Sequence, residues 1–372
     1  SGDLHASNLA LELKRNSPGI EIIGTGGEKM RAAGVELLFD LKDLAITGLL
    51  NVIKNYFLLK KIQGTLLSQL SEETKKPDLI ILIDYPDFNL RFAKKAGRFG
   101  VPIIYYISPQ IWAWRKGRIR LIKKYIKRVY VIFKFEEELY KKAGVAVEFI
   151  GHPLLDIVKP GRSKEEFLKS IPMGYGPGSE TGGRLIALLP GSRKNLVKIH
   201  LPLMLKAAEI ISNKLPDVRF LISKSASLDR SIYDNALAKM GAVPIFEGGV
   251  YDLINASDAA IVTSGTATLE PAILAKSMVI IYKLPLLEYM LAKPLLRVKH
   301  IWLVNIVAGK EIVPELLQSR ATPEIIAENL IELLTNKEKY AAAQAGLAAV
   351  KNSLYPAGAS RRAALSILKF LY

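Results

Sequence analysis

Three stretches of the chain combine residue types able to do chemistry. Residues 258–270 read Asp-Ala-Ala-Ile-Val-Thr-Ser-Gly-Thr-Ala-Thr-Leu-Glu. The small and β-branched residues predict a short buried strand, Ser264-Gly265-Thr266 a turn without bulk, and the residues from Ala267 a helix start. Orphan amides at a helix N-terminus and the helix dipole both favour negative charge. The turn, with the Ser264, Thr266 and Thr268 hydroxyls beside it, therefore offers an anion site, and Glu270 sets a carboxylate one turn on, where ribose hydroxyls could donate to it. A turn rich in capping residues and without a ligand reads the same way from this stretch alone. A second strand-turn-helix centres on Pro190-Gly191-Ser192-Arg193. Small residues plus a guanidinium are what a diphosphate needs. The third stretch is a strand over 79–83 that ends in Asp84-Tyr85-Pro86-Asp87-Phe88-Asn89. Carboxylates at the carboxyl end of a buried parallel strand lie where open α/β sheets place their chemistry. Asp84, nearer the strand end, is the better general base, whereas Asp87 reads first as a cap for the next helix.

The elements that must position these residues follow from the pattern around them. An opening amphipathic helix runs through about Arg15, and a glycine turn at 24–27 follows a short strand at 21–23. Strands at 79–83, 103–107, 129–133 and 147–150 alternate with helices, which predicts a parallel, doubly wound sheet. Gly151-His152-Pro153 breaks the alternation and marks a hinge, with a linker-like segment at 173–183 soon after. The second half restarts with strands at 185–189, 218–222, 243–246, 259–263 and 278–282, and helices at 323–334 and 340–372 close the chain. The expected division is an N-terminal domain over 1–155, a C-terminal domain over 156–350, and a final helical segment, 351–372, returning to the first domain.

Composition limits the functional classes. With 372 residues, two domains are the natural prior. Lys and Arg outnumber Asp and Glu by 52 to 35, a net +17 that favours an anionic partner: nucleic acid, acidic lipid or a phosphorylated substrate. Absence of cysteine excludes disulfides and thiolate metal sites. The four histidines, His5, His152, His200 and His300, have no i, i+4 spacing, so a histidine metal centre is not expected. No apolar run reaches the roughly 18 residues that span a bilayer, and no signal-peptide pattern opens the chain, so a cytoplasmic protein is expected.

Residues 44–61 differ in kind. Leu49, Leu50, Val52, Ile53, Phe57 and Leu58 cover more than a narrow stripe, with Lys54, Lys60 and Lys61 alongside. A buried helix with a wide core face accounts for this; so does a helix lying on an anionic membrane surface. Trp112 and Trp114, followed by a basic run from Arg115 to Arg128, could grip a sugar or a phosphate, or simply pack and be solvated. The basic run also admits nucleic acid, but no nucleic-acid-binding motif accompanies it.

Taken together, Pro190-Gly191-Ser192-Arg193, the 264–270 stretch, Ile83 to Asn89, Ser108-Pro109-Gln110-Ile111-Trp112-Ala113-Trp114-Arg115 and Gly151-His152-Pro153-Leu154-Leu155-Asp156 resemble the lipid-A-disaccharide synthase family, in order and over essentially the whole chain. The resemblance implies a GT-B glycosyltransferase of two Rossmann-like domains facing a cleft. It implies transfer of diacylglucosamine from UDP-2,3-diacylglucosamine to 2,3-diacylglucosamine 1-phosphate, giving a β-1,6-linked disaccharide and UDP with inversion. It further implies Asp84 as the base. Gly191, Ser192, Arg193, Ser264, Gly265, Thr266, Thr268, Glu270 and Asn305 fall on the donor side; Ser1, Asp87 and Trp114 fall toward the acceptor. No metal or cofactor is expected. The 44–61 helix would dock on the inner face of the inner membrane, and a homodimer is admitted. Two departures from the family stand out: its first strand, ending in Gly-Glu, is not present before Ser1-Gly2-Asp3, and Leu196 stands where the family usually has Glu. The first implies an incomplete first sheet and weak or absent activity. Other GT-B enzymes that use UDP-N-acetylglucosamine, a peptidoglycan-precursor glycosyltransferase or a 2-epimerase, are the alternative reading.

Overall fold

The computed structural model describes residues 2–40, 49–112, 117–171, 183–238, 243–263, 268–285 and 300–372, the side chains of 49–56 and 75 excepted. The chain forms two compact units, one of residues 1–156 and 354–372, the other of residues 157–353.

The first unit opens with α1 (Gly2–Asn16), β1 (Ile23–Gly26), α2 (Glu28–Ala32) and β2 (Glu36–Asp40). Strands β1 and β2 pair in parallel as a two-stranded sheet. The glycines expected to turn at 24–27 thus lie largely within a strand: without side chains, Gly24 and Gly26 are accommodated in the parallel pairing itself. Helix α1 leans on this sheet through Ala10, which shares a small core with Ala33 and Val35. The Asp3 carboxylate accepts from the amides of Gly27, Lys29 and Met30, so one side chain caps the start of α2.

Next come α3 (Leu49–Ser71), β3 (Ile80–Ile83), α4 (Pro86–Ala96), β4 (Ile103–Tyr106), α5 (Arg118–Tyr125), β5 (Arg128–Val131), α6 (Lys134–Lys142), β6 (Val147–Phe149) and α7 (Leu154–Ile157). Helix α3 extends ten residues beyond the expected end at 61. Strands β3 to β6 form a four-stranded parallel sheet in sequential order, as βαβ crossovers dictate. The Ile-Ile-Tyr-Tyr of β4 is buried on both faces, the mark of a central parallel strand. Pro86 sits in the first turn of α4, where a missing N–H costs nothing, and Leu90, Phe92, Ala93 and Ala96 face the core.

The second unit contains α8 (Lys164–Ser170), β7 (Arg184–Leu189), α9 (Lys194–Lys214), β8 (Val218–Ser223), α10 (Ser231–Leu237), β9 (Ile245–Phe246), α11 (Val250–Ala256), β10 (Ala259–Thr263), α12 (Leu269–Ile273), β11 (Ser277–Tyr282), α13 (Leu303–Ala308), β12 (Glu315–Leu317), α14 (Pro323–Thr335) and α15 (Lys337–Leu354). Its sheet runs β12-β11-β10-β7-β8-β9, all parallel, the reversal beside β7 being that of a doubly wound fold. Five consecutive buried residues make up β10, and Val197, Leu201, Met204, Leu205 and Ala208 turn one face of α9 onto the sheet core.

A final helix, α16 (Ala359–Leu371), belongs to the first unit. The single helix expected over 340–372 is therefore two, because Pro356 removes a donor and Gly358, at φ 85, takes a left-handed conformation. Asp156 caps α16 through the amides of Gly358 and Ala359 at 2.6 and 3.1 Å, and the Arg362 guanidinium donates to the Ile150 carbonyl at 3.0 Å. Buried Ala359, Ala363, Ala364 and Ile367 let α16 pack closely against α1.

Candidate active site

In the first unit, Asp84 leaves the end of β3 in an unusual backbone state. Asp84 and Tyr85 have φ of 52° and 38°, and Ile107, at the end of the neighbouring β4, has φ 60°. Left-handed conformations of non-glycine residues cost on the order of 1–3 kcal/mol each and persist only where surrounding contacts hold them. Those contacts are present: the Asn89 amide donates to the Ile83 and Asp84 carbonyls at 3.0 and 2.6 Å, and the buried Tyr105 hydroxyl donates to the Asp84 carbonyl at 2.6 Å. The carboxylate itself accepts from the Tyr85 amide at 2.8 Å through one oxygen. Its other oxygen looks toward the start of α1, where a Cβ added to Gly2 would stand 3.5 Å away. Asp84 remains exposed, as a base that must meet an external hydroxyl requires.

His5 lies one turn along α1 from Gly2. Burial drops its imidazole to about 4 although the Asp84 carboxylate pulls the other way, and its Nδ1 has no hydrogen-bond partner among the described residues. His152, after β6, is held at about 3 by burial; it lies 5.2 Å from the Phe133 ring, and its Nδ1 accepts from the Leu154 amide. Glu136, in the first turn of α6, is buried and pushed up to about 7 by desolvation. It receives the Trp112 indole N–H at 3.0 Å and the Phe133 amide at 3.3 Å. Asp87 is half exposed and takes Arg118 Nη2 at 2.8 Å, an ion pair in addition to its place in the first turn of α4. Of the other acceptor-side expectations, Ser1 and Trp114 lie outside the described residues.

In the second unit the 190–193 turn joins β7 to α9. Gly191 has φ 96°, a conformation that a side chain resists, and its open side faces the Thr263 side chain at the end of neighbouring β10. Ser192 and Arg193 are exposed, and Arg193 occupies the N-cap position of α9 in extended conformation. The Thr263 hydroxyl is buried without a partner among the described residues. Ser264, Gly265 and Thr266 lie outside the described residues; Thr268 is buried at the N-cap of α12. Glu270 is desolvated and raised to about 7, sharing a hydrogen bond with the Tyr251 hydroxyl of α11.

Asn305 plays a bracing part. It is wholly buried in α13, its NH2 donates to the Val313 carbonyl and the Glu315 carboxylate, and its oxygen accepts from the Ile312 and Val313 amides. Both donors and both acceptor positions are thereby used within the unit, and Asn305 sets the path into β12. The Leu196 carbonyl accepts from His200 Nδ1, whose Nε2 accepts from the Lys283 amide, a relay fixing the exit of β11 against α9. Sequence reasoning passed over Asn89, Tyr105, Glu136, Tyr251 and Thr263, because what each meets, a backbone carbonyl, an indole, a carboxylate or the open side of Gly191, is brought to it only by folding.

On the α3 side, Phe57 is 65% exposed and Leu58 half-buried, while the side chains of Leu49, Leu50, Val52 and Ile53 lie outside the described residues. No helix among the described residues is long and apolar enough to cross a membrane.

Comparison with known proteins gives a consistent picture. The family model described as lipid-A-disaccharide synthetase matches residues 1–367. A protein from Syntrophus aciditrophicus named lipid-A-disaccharide synthase is 43% identical over all of this chain and 95% of its own length. One of the same name from Geobacter metallireducens is 41% identical, again over all of this chain and 95% of its own. Among solved structures, the UDP-GlcNAc 2-epimerase from Neisseria meningitidis bound to UDP-GlcNAc superposes with a TM-score of 0.61 at 14% identity, over 99% of this chain and 97% of that one. The calicheamicin glycosyltransferase CalG4 does so with a TM-score of 0.61 at 13% identity, over 99% and 94%. At these identities the two structures speak to the fold alone, and the fold is GT-B.

Proposed function

The chain belongs to the lipid-A-disaccharide synthase family, and from that premise we propose a reaction in which each candidate residue has a defined part. The enzyme transfers a 2,3-diacylglucosaminyl group from its UDP conjugate to the 6-hydroxyl of 2,3-diacylglucosamine 1-phosphate. The acceptor oxygen attacks the anomeric carbon from the face opposite the nucleotide, the C–O bond to UDP breaks, and the product carries an inverted, β-1,6 linkage. Asp84 takes the 6-hydroxyl proton as the oxygen bonds to carbon. The departing diphosphate gains negative charge, which Arg193 and the amides at the start of α9 offset. Glu270 accepts from the ribose hydroxyls, and the small residues from Ser264 to Thr266 let the nucleotide approach the backbone.

The observation that carries this reading is the bracing of Asp84: an exposed carboxylate on a strained strand end, fixed by Asn89 and Tyr105. Incubation with radiolabelled 2,3-diacylglucosamine 1-phosphate and the UDP conjugate, resolved by thin-layer chromatography, tests it. Disaccharide 1-phosphate and stoichiometric UDP are expected; release of UDP without disaccharide would move the chain to a different GT-B activity.

Both substrates carry acyl chains, which supports docking of α3 on an anionic membrane surface at the inner face of the inner membrane. Exposed Phe57 inserts there and Lys60 and Lys61 attract headgroups. Replacement of Phe57 by Ser, alone and with Leu49, Val52 and Ile53, is expected to weaken sedimentation with phosphatidylglycerol vesicles. Unchanged sedimentation of the fourfold variant would rule the docking helix out.

A further inference from the structure

A groove of about 560 Å³ runs between α3 and α4 in the first unit. Lys60, Arg91, Lys94, Lys95 and Arg98 line it against a single carboxylate, Asp87. That carboxylate is already engaged by Arg118 at 2.8 Å. Arg91, Lys94, Lys95 and Arg98 follow the i, i+3, i+4, i+7 spacing that puts side chains on one face of a helix, here α4 and the short 3-10 turn continuing it. Like charges at these spacings repel. No ion pair among the described residues relieves Arg91 or Lys94, and Lys95 reaches only the neutral Gln63 amide oxygen, at 2.6 Å. A helix face set against its own electrostatics in this way is complementary to a compact polyanion.

The groove also has an apolar wall. Tyr85 and Phe88 line it with ring centroids 6.1 Å apart, Phe88 in turn stacking on the core residue Phe92 at 6.3 Å, and Leu59 closes the α3 side. The ligand class that satisfies both walls is an anionic amphiphile. Tyr85 belongs to the lining and directly follows Asp84 in the chain, so the groove opens beside the candidate base.

We infer that this groove receives the phosphomonoester of the acceptor, with Arg91, Lys94 and Arg98 on the phosphate and Phe88 and Leu59 against the adjoining acyl chain. The inference rests on the proposed reaction. The acceptor carries its phosphate on C1 and its reactive 6-hydroxyl on the arm from C5, the two carbons that flank the ring oxygen, so a phosphate anchored in the groove beside Asp84 keeps the hydroxyl within reach of that carboxylate. Phosphate recognition then selects the sugar that accepts and orients it, a role separate from general attraction to a charged bilayer.

The test uses the full chain in uncharged detergent micelles, with acceptor bearing or lacking the 1-phosphate, and compares it with the double variant Arg91→Ala/Lys94→Ala and with Arg91→Lys. The double variant is expected to raise KM for the phosphorylated acceptor at least tenfold, with kcat and donor KM within threefold. It should leave kinetics on the phosphate-free acceptor close to those of the parent, and Arg91→Lys should recover part of the loss. Sedimentation with phosphatidylglycerol vesicles should change less than twofold. Equal effects on both acceptors, or unchanged KM with lost vesicle binding, would overturn the inference, the latter assigning the groove to lipid headgroups. If the parent chain forms no disaccharide, the proposed reaction fails. Calorimetry with dodecyl phosphate then decides the groove alone: tenfold weaker binding by the double variant supports an anionic-amphiphile site, and equal binding removes it.

Discussion

The Tyr105 hydroxyl donates a 2.6 Å hydrogen bond to the Asp84 carbonyl from the adjacent strand, across the β3–β4 pairing that sets Leu82 opposite Tyr105. The bond ties the residue in the left-handed state to the centre of the sheet, where Tyr105 is wholly buried. Replacement by Phe keeps the ring and removes the tie. We expect stability to fall by about 1 kcal/mol, and kcat to fall roughly tenfold as the carboxylate loses its fixed aim, with KM for both substrates little changed. Steady-state kinetics beside urea unfolding check this; a wild-type kcat would show that Asn89 alone holds Asp84.

Burial raises the Glu270 carboxyl from 4.5 to about 7, so the folded protein holds a proton that the unfolded chain has released. Between these values stability therefore falls as pH rises: the favourable protonated state is complete below about pH 4.5 and is lost through pH 7. Gln at this position retains a partner for Tyr251 and carries no charge. The stability of Glu270→Gln relative to the parent should therefore rise across that window, by an amount on the order of 3 kcal/mol. Denaturant unfolding at pH 4.5, 6 and 8 measures it, and a difference independent of pH would contradict the burial argument.

Gly151 has φ 78°, and a Cβ there would collide with the Pro356 carbonyl oxygen, which also receives the Arg362 guanidinium. Neither the backbone angle nor the contact relaxes without shifting the segment that leads into α16. Gly151→Ala is expected to cost about 2–4 kcal/mol, read as a lowered midpoint in chemical unfolding. Stability within 0.5 kcal/mol of the parent, roughly the scatter of a neutral surface change, would show that the segment moves freely.

What could be read in the sequence was whatever lies along the chain. Apolar runs such as Ile80 to Ile83 and the wholly buried Ala259 to Thr263 announce strands by composition, and the Pro-Gly-Ser-Arg turn announces its own geometry through Gly191. What closes across the chain was not legible. Tyr105 reads as one more buried aromatic until its strand is paired beside β3, and the basic face of α4 becomes a groove only when α3 lies alongside. Asn305 sits in a ligand-like motif, yet its amide meets backbone groups at 312 and 313 that only folding brings near. The break before α16 had its signals, Pro356 and Gly358, but a long alanine-rich helical pattern on either side masked them.

The central claim is that Asp84 removes the acceptor proton. Its most direct test is single-turnover formation of disaccharide 1-phosphate by Asp84→Asn, with donor affinity measured on the same protein. Asn keeps the size of the side chain and can still accept from the Tyr85 amide, but it cannot act as a base at neutral pH. The account predicts transfer slower by about 10²–10⁴-fold, with donor binding within threefold of the parent. Transfer within tenfold of the parent at saturating acceptor would contradict it and place the base elsewhere.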